Sequence, residues 1–205
     1  MTPAVPLLIV LSAPSGGGKT TLCDQLLAQR TDICRAVTCT TRPPRPGEQE
    51  GVHYHFLKRS EFEAQVEEGR FLEHATVYNH LYGTWKSEVI DKLHTSRHVL
   101  LNIDVQGARS IRAAASADSY LEPRLVSVFL TPPSLEDLER RLTHRASETP
   151  ETLGRRLREA SSEIQQWVHF DYLLISTTIA EDLRRMETIL EAELMRRARS
   201  SPPLA

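Results

Sequence analysis

The chain has 205 residues, a length for one domain with a full hydrophobic core and room for an inserted subdomain. Hydrophobic residues at 40% and charged residues at 25% are ordinary globular usage and exclude a disordered tail, a collagen-like chain and a membrane protein. A net charge of −2 leaves no overall positive field to hold nucleic acid.

In chain order, residues 7–11 (LLIVL) form a continuous apolar run bounded by Pro6 and Ser12, the pattern of a strand buried on both faces. The run has no basic segment before it and is too short for a signal peptide or a membrane span. Cys23, Cys34 and Cys39 show no C-x-x-C spacing, so reduced thiols and a cytoplasmic location are expected.

Ala13-Pro14-Ser15-Gly16-Gly17-Gly18-Lys19-Thr20 follows at once, with Thr21, Leu22, Leu26 and Leu27 beyond it at helical spacing. This is the phosphate-loop pattern with alanine in place of the first glycine, in its proper context between a strand and a helix. Glycines let successive backbone N–H groups curl round phosphate oxygens, and the helix N-terminus adds a favourable partial charge. Lys19 would neutralise β- and γ-phosphates, and the Thr20 hydroxyl would ligate Mg²⁺. A bound nucleoside triphosphate is therefore expected, held by residues 13–21.

Residues 38–84 break the strand–helix rhythm. They are rich in Pro, Gly, His and Tyr, with β-like pieces at 54–57 and 71–78, and read as an inserted small subdomain. Ser60 with Glu63 is a capping-box pair inside it. Of the 25 Lys and Arg residues only Lys19, Lys58, Lys86 and Lys92 are lysines. Arg42 and Arg45 lie three apart among prolines in TTRPPRPGE, a stiff presentation of two guanidinium forks suited to phosphate.

Further apolar runs at 99–104, 125–130 and 171–175 complete the expected strands. Ser134 before Asp137, Thr149-Pro150, and Thr178 with Glu181 read as helix starts. The last helix should end near Ser200, ahead of Pro202 and Pro203. Residues 140–158 are dominated by charge with few apolar anchors and suggest a second insertion. Alternating strands and helices predict an α/β fold with a mainly parallel sheet. Asp104-Val-Gln-Gly107 fits D-x-x-G, yet no N-K-x-D sequence surrounds any lysine, which argues against a GTPase. The histidines are not at zinc-site spacing.

The phrases SAPSGGGKTTL, TTRPPRPGE, HYHF, FLEHA, YGT, NIDVQGA and FLTPPS together make the sequence resemble guanylate kinase from the phosphate loop to about Arg199. The resemblance implies transfer of the γ-phosphoryl group of ATP to GMP, and to dGMP, giving ADP and GDP, with Mg²⁺. It implies a core (1–37, 85–139, 160–200), a GMP-binding insertion (about 38–84) and a lid (about 140–159). Position by position, Arg42, Arg45, Tyr54 and Tyr82 would hold the GMP phosphate. Thr38, Glu73 and Thr84 would read guanine, with Asp104 nearby. Arg141 and Arg145 match the lid arginines, and Arg156 a further arginine over the phosphates.

One carboxylate at Glu73 can accept both N1–H and N2–H of guanine, a donor pair that adenine lacks. Three positions depart from the family's usual pattern. Thr38 replaces serine, Asn102 replaces the first carboxylate of Asp-Ile-Asp, and Ser176-Thr177 replaces Asn-Asp. A catalytically silent scaffold relative is the alternative from another class, and a kinase of this fold acting on a ribose bisphosphate or another nucleoside monophosphate is a further one. The intact Lys19, Thr20 and arginine set argues against the first, and Glu73 with Thr84 against the second.

Overall fold

The computed structural model describes residues 5–77, 79–95, 97–143 and 150–200, with side chains described for all of these except 150–152. Its main sheet is parallel, in the order β2 (Ile33–Arg35), β7 (His98–Asn102), β1 (Leu8–Ser12), β8 (Leu125–Thr131), β9 (Tyr172–Ile175). Every residue of β1 is buried, as its unbroken apolar run predicts for a central strand covered on both faces. β1 pairs β7 through Leu8↔Val99 and β8 through Leu8↔Leu125. The α/β expectation is borne out.

Two cores flank this sheet. Leu22, Leu26, Met186 and Leu190 of α1 (Lys19–Gln29) and α7 (Ile179–Leu194) join Ile9 and Leu11 on one face. Val89, Leu93, Ala108 and Ile111 of α3 (Lys86–His94) and α4 (Val105–Ser116) cover Leu8 and Val10 on the other. The chain leaves β1 toward β2 and β7, then returns to lay β8 and β9 on the opposite side. The carboxyl end of β1 thus opens at the point where the winding reverses, where α/β sheets place their ligands.

A second sheet, of mixed direction, runs β4 (Tyr54–Phe56), β3 (Thr38–Thr40), β6 (His80–Trp85), β5 (Phe71–Val77). Phe62 of α2 (Arg59–Glu67) stacks on Phe71 beneath it, with ring centroids 4.4 Å apart. The β5–β6 hairpin turns through Asn79 at φ 66°. Glu73 and Thr84 stand opposite each other in its ladder.

Several local expectations shift. α2 starts at Arg59, and its first turn is closed by the Glu61 carboxylate, which accepts the Lys58 N–H at 3.0 Å; Ser60 and Glu63 lie inside the helix. Thr178 and Ser134 do accept from the backbone N–H groups of Glu181 and Asp137. The Thr149 cap lies outside the described residues, while Pro150 opens α6 (Pro150–Ile164). The last helix stops at Leu194 rather than near Ser200, because Arg199 turns inward to pair with buried Glu193 and to donate to the Pro123 and Leu125 carbonyls.

The charged stretch after residue 140 has more apolar anchoring than expected. Leu138 and Leu142 of α5 (Leu135–Thr143) are buried against Leu153, Leu157, Ala160 and Ile164 of α6. Those four recur at helical spacing, hidden among arginines and glutamates on the outer face.

Candidate active site

Between β1 and α1 the chain must reverse within residues 13–18. Gly16 at φ 84° and Gly18 at φ 92° take the left-handed turns that side-chained residues rarely adopt. The loop borders a cavity of about 800 Å³ lined by residues 13–20 together with Asp104, Arg109 and Glu163. Thr21 follows, exposed on α1. The Lys19 ammonium donates to the Ile103 carbonyl at 2.7 Å, tying the loop to the strand end of β7. Burial lowers its pKa, opposed by the charge of Asp104. Asp104 itself caps α4, accepting the Gly107 N–H at 2.8 Å.

A second cavity of about 260 Å³ shares Lys19 and Thr20 and is lined by Thr38, Tyr54, Glu73, Tyr82, Asn102 and Asp104. Lys19, Thr20 and Asp104 belong to both cavities. Glu73 is 4% exposed, and loss of hydration pushes its carboxyl up to about 7 against the hydrogen bond from the Thr84 hydroxyl at 2.7 Å. Thr84 is fully buried, and its proton is taken by Glu73.

Arg42 lies beside this cavity, its guanidinium 5.4 Å from the Tyr54 ring centroid and donating to the Tyr82 hydroxyl at 3.3 Å. Glu48 holds it from behind at 2.8 Å and raises its pKa further. The other Glu48 oxygen accepts the Arg45 N–H at 2.7 Å, while the rest of Arg45 is exposed on the loop. The structure therefore gathers Thr38, Tyr54, Glu73, Tyr82 and Asp104 round one space, with Arg42 at its edge and Thr84 behind Glu73.

From the α5–α6 pair, Arg141 donates to the Gly17 carbonyl at 3.4 Å and to Ser176 Oγ at 3.2 Å. Arg156 donates to Ser15 Oγ at 2.7 Å. Both guanidinium groups thus reach the phosphate loop from the helices that follow β8. Arg145 lies outside the described residues.

Sequence reasoning missed four contributors. Glu48 stood in the quoted TTRPPRPGE phrase, and its role follows once Arg42 needs a counter-charge. Glu163, whose carboxylate accepts the Ser15 N–H at 3.1 Å, carries no local signal, since its partner lies 148 residues away. Arg109 and Asp182 are likewise brought in by the fold alone.

The sequence profile of the guanylate kinase family matches residues 6–193. A guanylate kinase of Alkalilimnicola ehrlichii is 44% identical over 198 residues, covering 97% of this chain and 94% of that protein. One of Sphingopyxis alaskensis is 42% identical over 193 residues, covering 94% and 85%. The crystal structure of guanylate kinase from Anaplasma phagocytophilum superposes with a TM-score of 0.76 at 33% identity, covering 96% of this chain and 90% of that one. Because the likeness runs through both sheets and the helices between them, far beyond the phosphate loop, this chain belongs to the guanylate kinase family.

Proposed function

We propose that the two cavities divide the substrates of this kinase between them, ATP on the phosphate-loop side and GMP between the two sheets. As a guanylate kinase the chain is a P-loop phosphotransferase that moves the γ-phosphoryl group of ATP to GMP. The observation that carries the division is their meeting at Lys19 and Thr20. A donor lying along residues 13–20 and an acceptor reaching in from Glu73 would present their phosphate ends to each other there. With this division goes a proposed core of 1–37, 85–139 and 160–200, a GMP-binding unit of about 38–84, and a lid of about 140–159.

Guanine would enter with N1–H and N2–H toward the ionised Glu73 carboxylate, held in line by Thr84, and with O6 toward a donor such as Thr38. Its phosphate would meet Arg42, Tyr54 and Tyr82, with Arg45 closing from the loop. An oxygen of that phosphate attacks the γ-phosphorus of ATP directly; the bond to the β–γ bridging oxygen breaks, and ADP leaves with the electron pair. No covalent enzyme intermediate is needed, so the protein's task is positioning and charge neutralisation. Among the described residues, Lys19, Arg141 and Arg156 are cations in or touching the phosphate loop, and Arg109 lines the same cavity.

Thr20 is the residue to hold a magnesium ion that arrives on ATP. Its hydroxyl is a hard oxygen donor exposed beside Asp104 in both cavities. Among the described residues no group of three His, Cys, Asp or Glu side chains could cage an ion unaided, which fits an ion held largely by phosphate oxygens. When bound, the ion neutralises charge across the β- and γ-phosphates.

The test is ADP formation from Mg²⁺-ATP with GMP, dGMP, AMP, UMP and CMP in parallel. Turnover with GMP and dGMP is expected to exceed that with AMP by roughly 10⁴-fold, the discrimination available to a polar pair left unsatisfied by the wrong base. GMP binding without turnover would instead favour a silent scaffold, and a preference for another acceptor would overturn base reading by Glu73.

A further inference from the structure

Ser176 and Thr177 stand where the family's usual pattern has Asn-Asp, so a carboxylate is missing just after β9. The structure supplies one from another place. Asp182, in the first turn of α7, is 3% exposed and points back at that segment. Its Oδ1 accepts the Thr177 N–H at 3.0 Å, and its Oδ2 accepts the Ser176 hydroxyl at 2.7 Å. Ser176 is fixed in turn by its own N–H, which donates to the Thr131 carbonyl at the end of β8 at 2.8 Å. On the far side of the same hydroxyl oxygen sits Arg141 Nη2 at 3.2 Å, with Nη1 reaching the Gly17 carbonyl.

The hydrogen bonds run in one direction only. Asp182 as a carboxylate accepts and never donates, so the single Ser176 proton goes to it. The Ser176 lone pairs then face Arg141, which only donates. The guanidinium is thereby fixed at the phosphate loop by an anion it does not touch.

We infer that Asp182 is a positioning residue for phosphoryl transfer, acting through Ser176 to hold Arg141 against the phosphate loop. This rests on the reading of Arg141 as a cation at the transferred group. Asp182→Asn is nearly isosteric yet reverses the chain. Its amide oxygen would satisfy Thr177, leaving an NH₂ group aimed at Ser176. The Ser176 proton then has no acceptor or turns toward the guanidinium, two donors face to face.

The experiment is a double-mutant cycle on steady-state kinetics with saturating Mg²⁺-ATP and varied GMP, with thermal unfolding measured alongside. Asp182→Asn should lower kcat by about tenfold or more, since misplacing a catalytic group by an ångström costs on the order of a hundredfold. KM for GMP should stay within about twofold, because neither Asp182 nor Arg141 is among the residues lining that pocket. In an Arg141→Ala background the same change should leave kcat unaltered. Ser176→Ala keeps the carboxylate on Thr177 and should reproduce the kcat loss even where Asp182→Asn fails to fold. Unchanged kcat in both Asp182→Asn and Ser176→Ala, with Arg141→Ala slow, overturns the inference. Equal losses in both backgrounds reduce Asp182 to a structural residue and overturn it too. A fast Arg141→Ala enzyme fails the underlying reading first, and the inference falls with it.

Discussion

Burial pushes the Glu73 carboxyl up to about 7, so near neutral pH the empty site holds both the acid and the carboxylate. Only the carboxylate accepts both guanine donors. kcat/KM for GMP should therefore fall about tenfold per pH unit below 7, a pH–rate profile reporting the free enzyme. The GMP phosphate also titrates, near about 6, and a parallel profile of Glu73→Gln separates the two. The same shift acts on stability. The native protein binds more protons at Glu73 than the unfolded chain between the ordinary carboxyl value of 4.5 and about 7, so stability falls as pH rises through that window. The full cost is about 3 kcal/mol above it, at order-of-magnitude level. Glu73→Gln should thus raise the Tm of nucleotide-free protein more at pH 8 than at pH 5, while lowering GMP turnover.

Among the elements, the first turn of α4 also lies close to that carboxylate. A Cβ at Gly107 would stand 2.9 Å from Glu73 Oε2 and 3.3 Å from Ile103 Cβ. Glycine there lets the helix press on the carboxylate proposed to read the base, and the D-x-x-G spacing that loosely imitates a GTPase is explained by this contact and by the Asp104 cap. Gly107→Ala must move either the helix or the carboxylate. The expected result is a KM for GMP raised about tenfold with KM for ATP unchanged, measured by varying each substrate in turn. This position was legible only as a motif letter. Its neighbour Glu73 lies in the second sheet, 34 residues earlier in the chain, and no local pattern announces that approach. Capping was easier to read because donor and acceptor lie three residues apart, and even so α2 starts earlier than its serine suggested.

Across the whole molecule, helices that follow the last-but-one strand reach back to the first loop. The Glu163 carboxylate of α6 occupies the Ser15 N–H, a group that a phosphate oxygen would claim. Burial raises the Glu163 pKa, with Lys19 opposing and Asp104 assisting the rise. A negative charge at the phosphate site competes with ATP, so Glu163→Gln should tighten ATP binding several-fold in calorimetric titration without GMP. Weaker binding would show that the carboxylate helps to hold the nucleotide complex instead. The described helices include none long and apolar enough to cross a membrane. All three cysteines are free and buried, with thiols pushed up by burial.

By itself the sequence determined the buried central strand, the phosphate loop, the α/β class and the identity of most groups round the two cavities. These are carried by patterns that repeat within a few residues or by side-chain types suited to one chemistry. Only tertiary structure decided that Glu48 backs Arg42, that Thr84 spends its proton on Glu73, that Glu163 faces the phosphate loop, and that Asp182 holds the serine which meets Arg141. The physical reason is range. Strand periodicity and loop conformation are fixed by neighbours along the chain, whereas a buried charge takes whichever partner the packing brings within 3 Å, however distant in sequence.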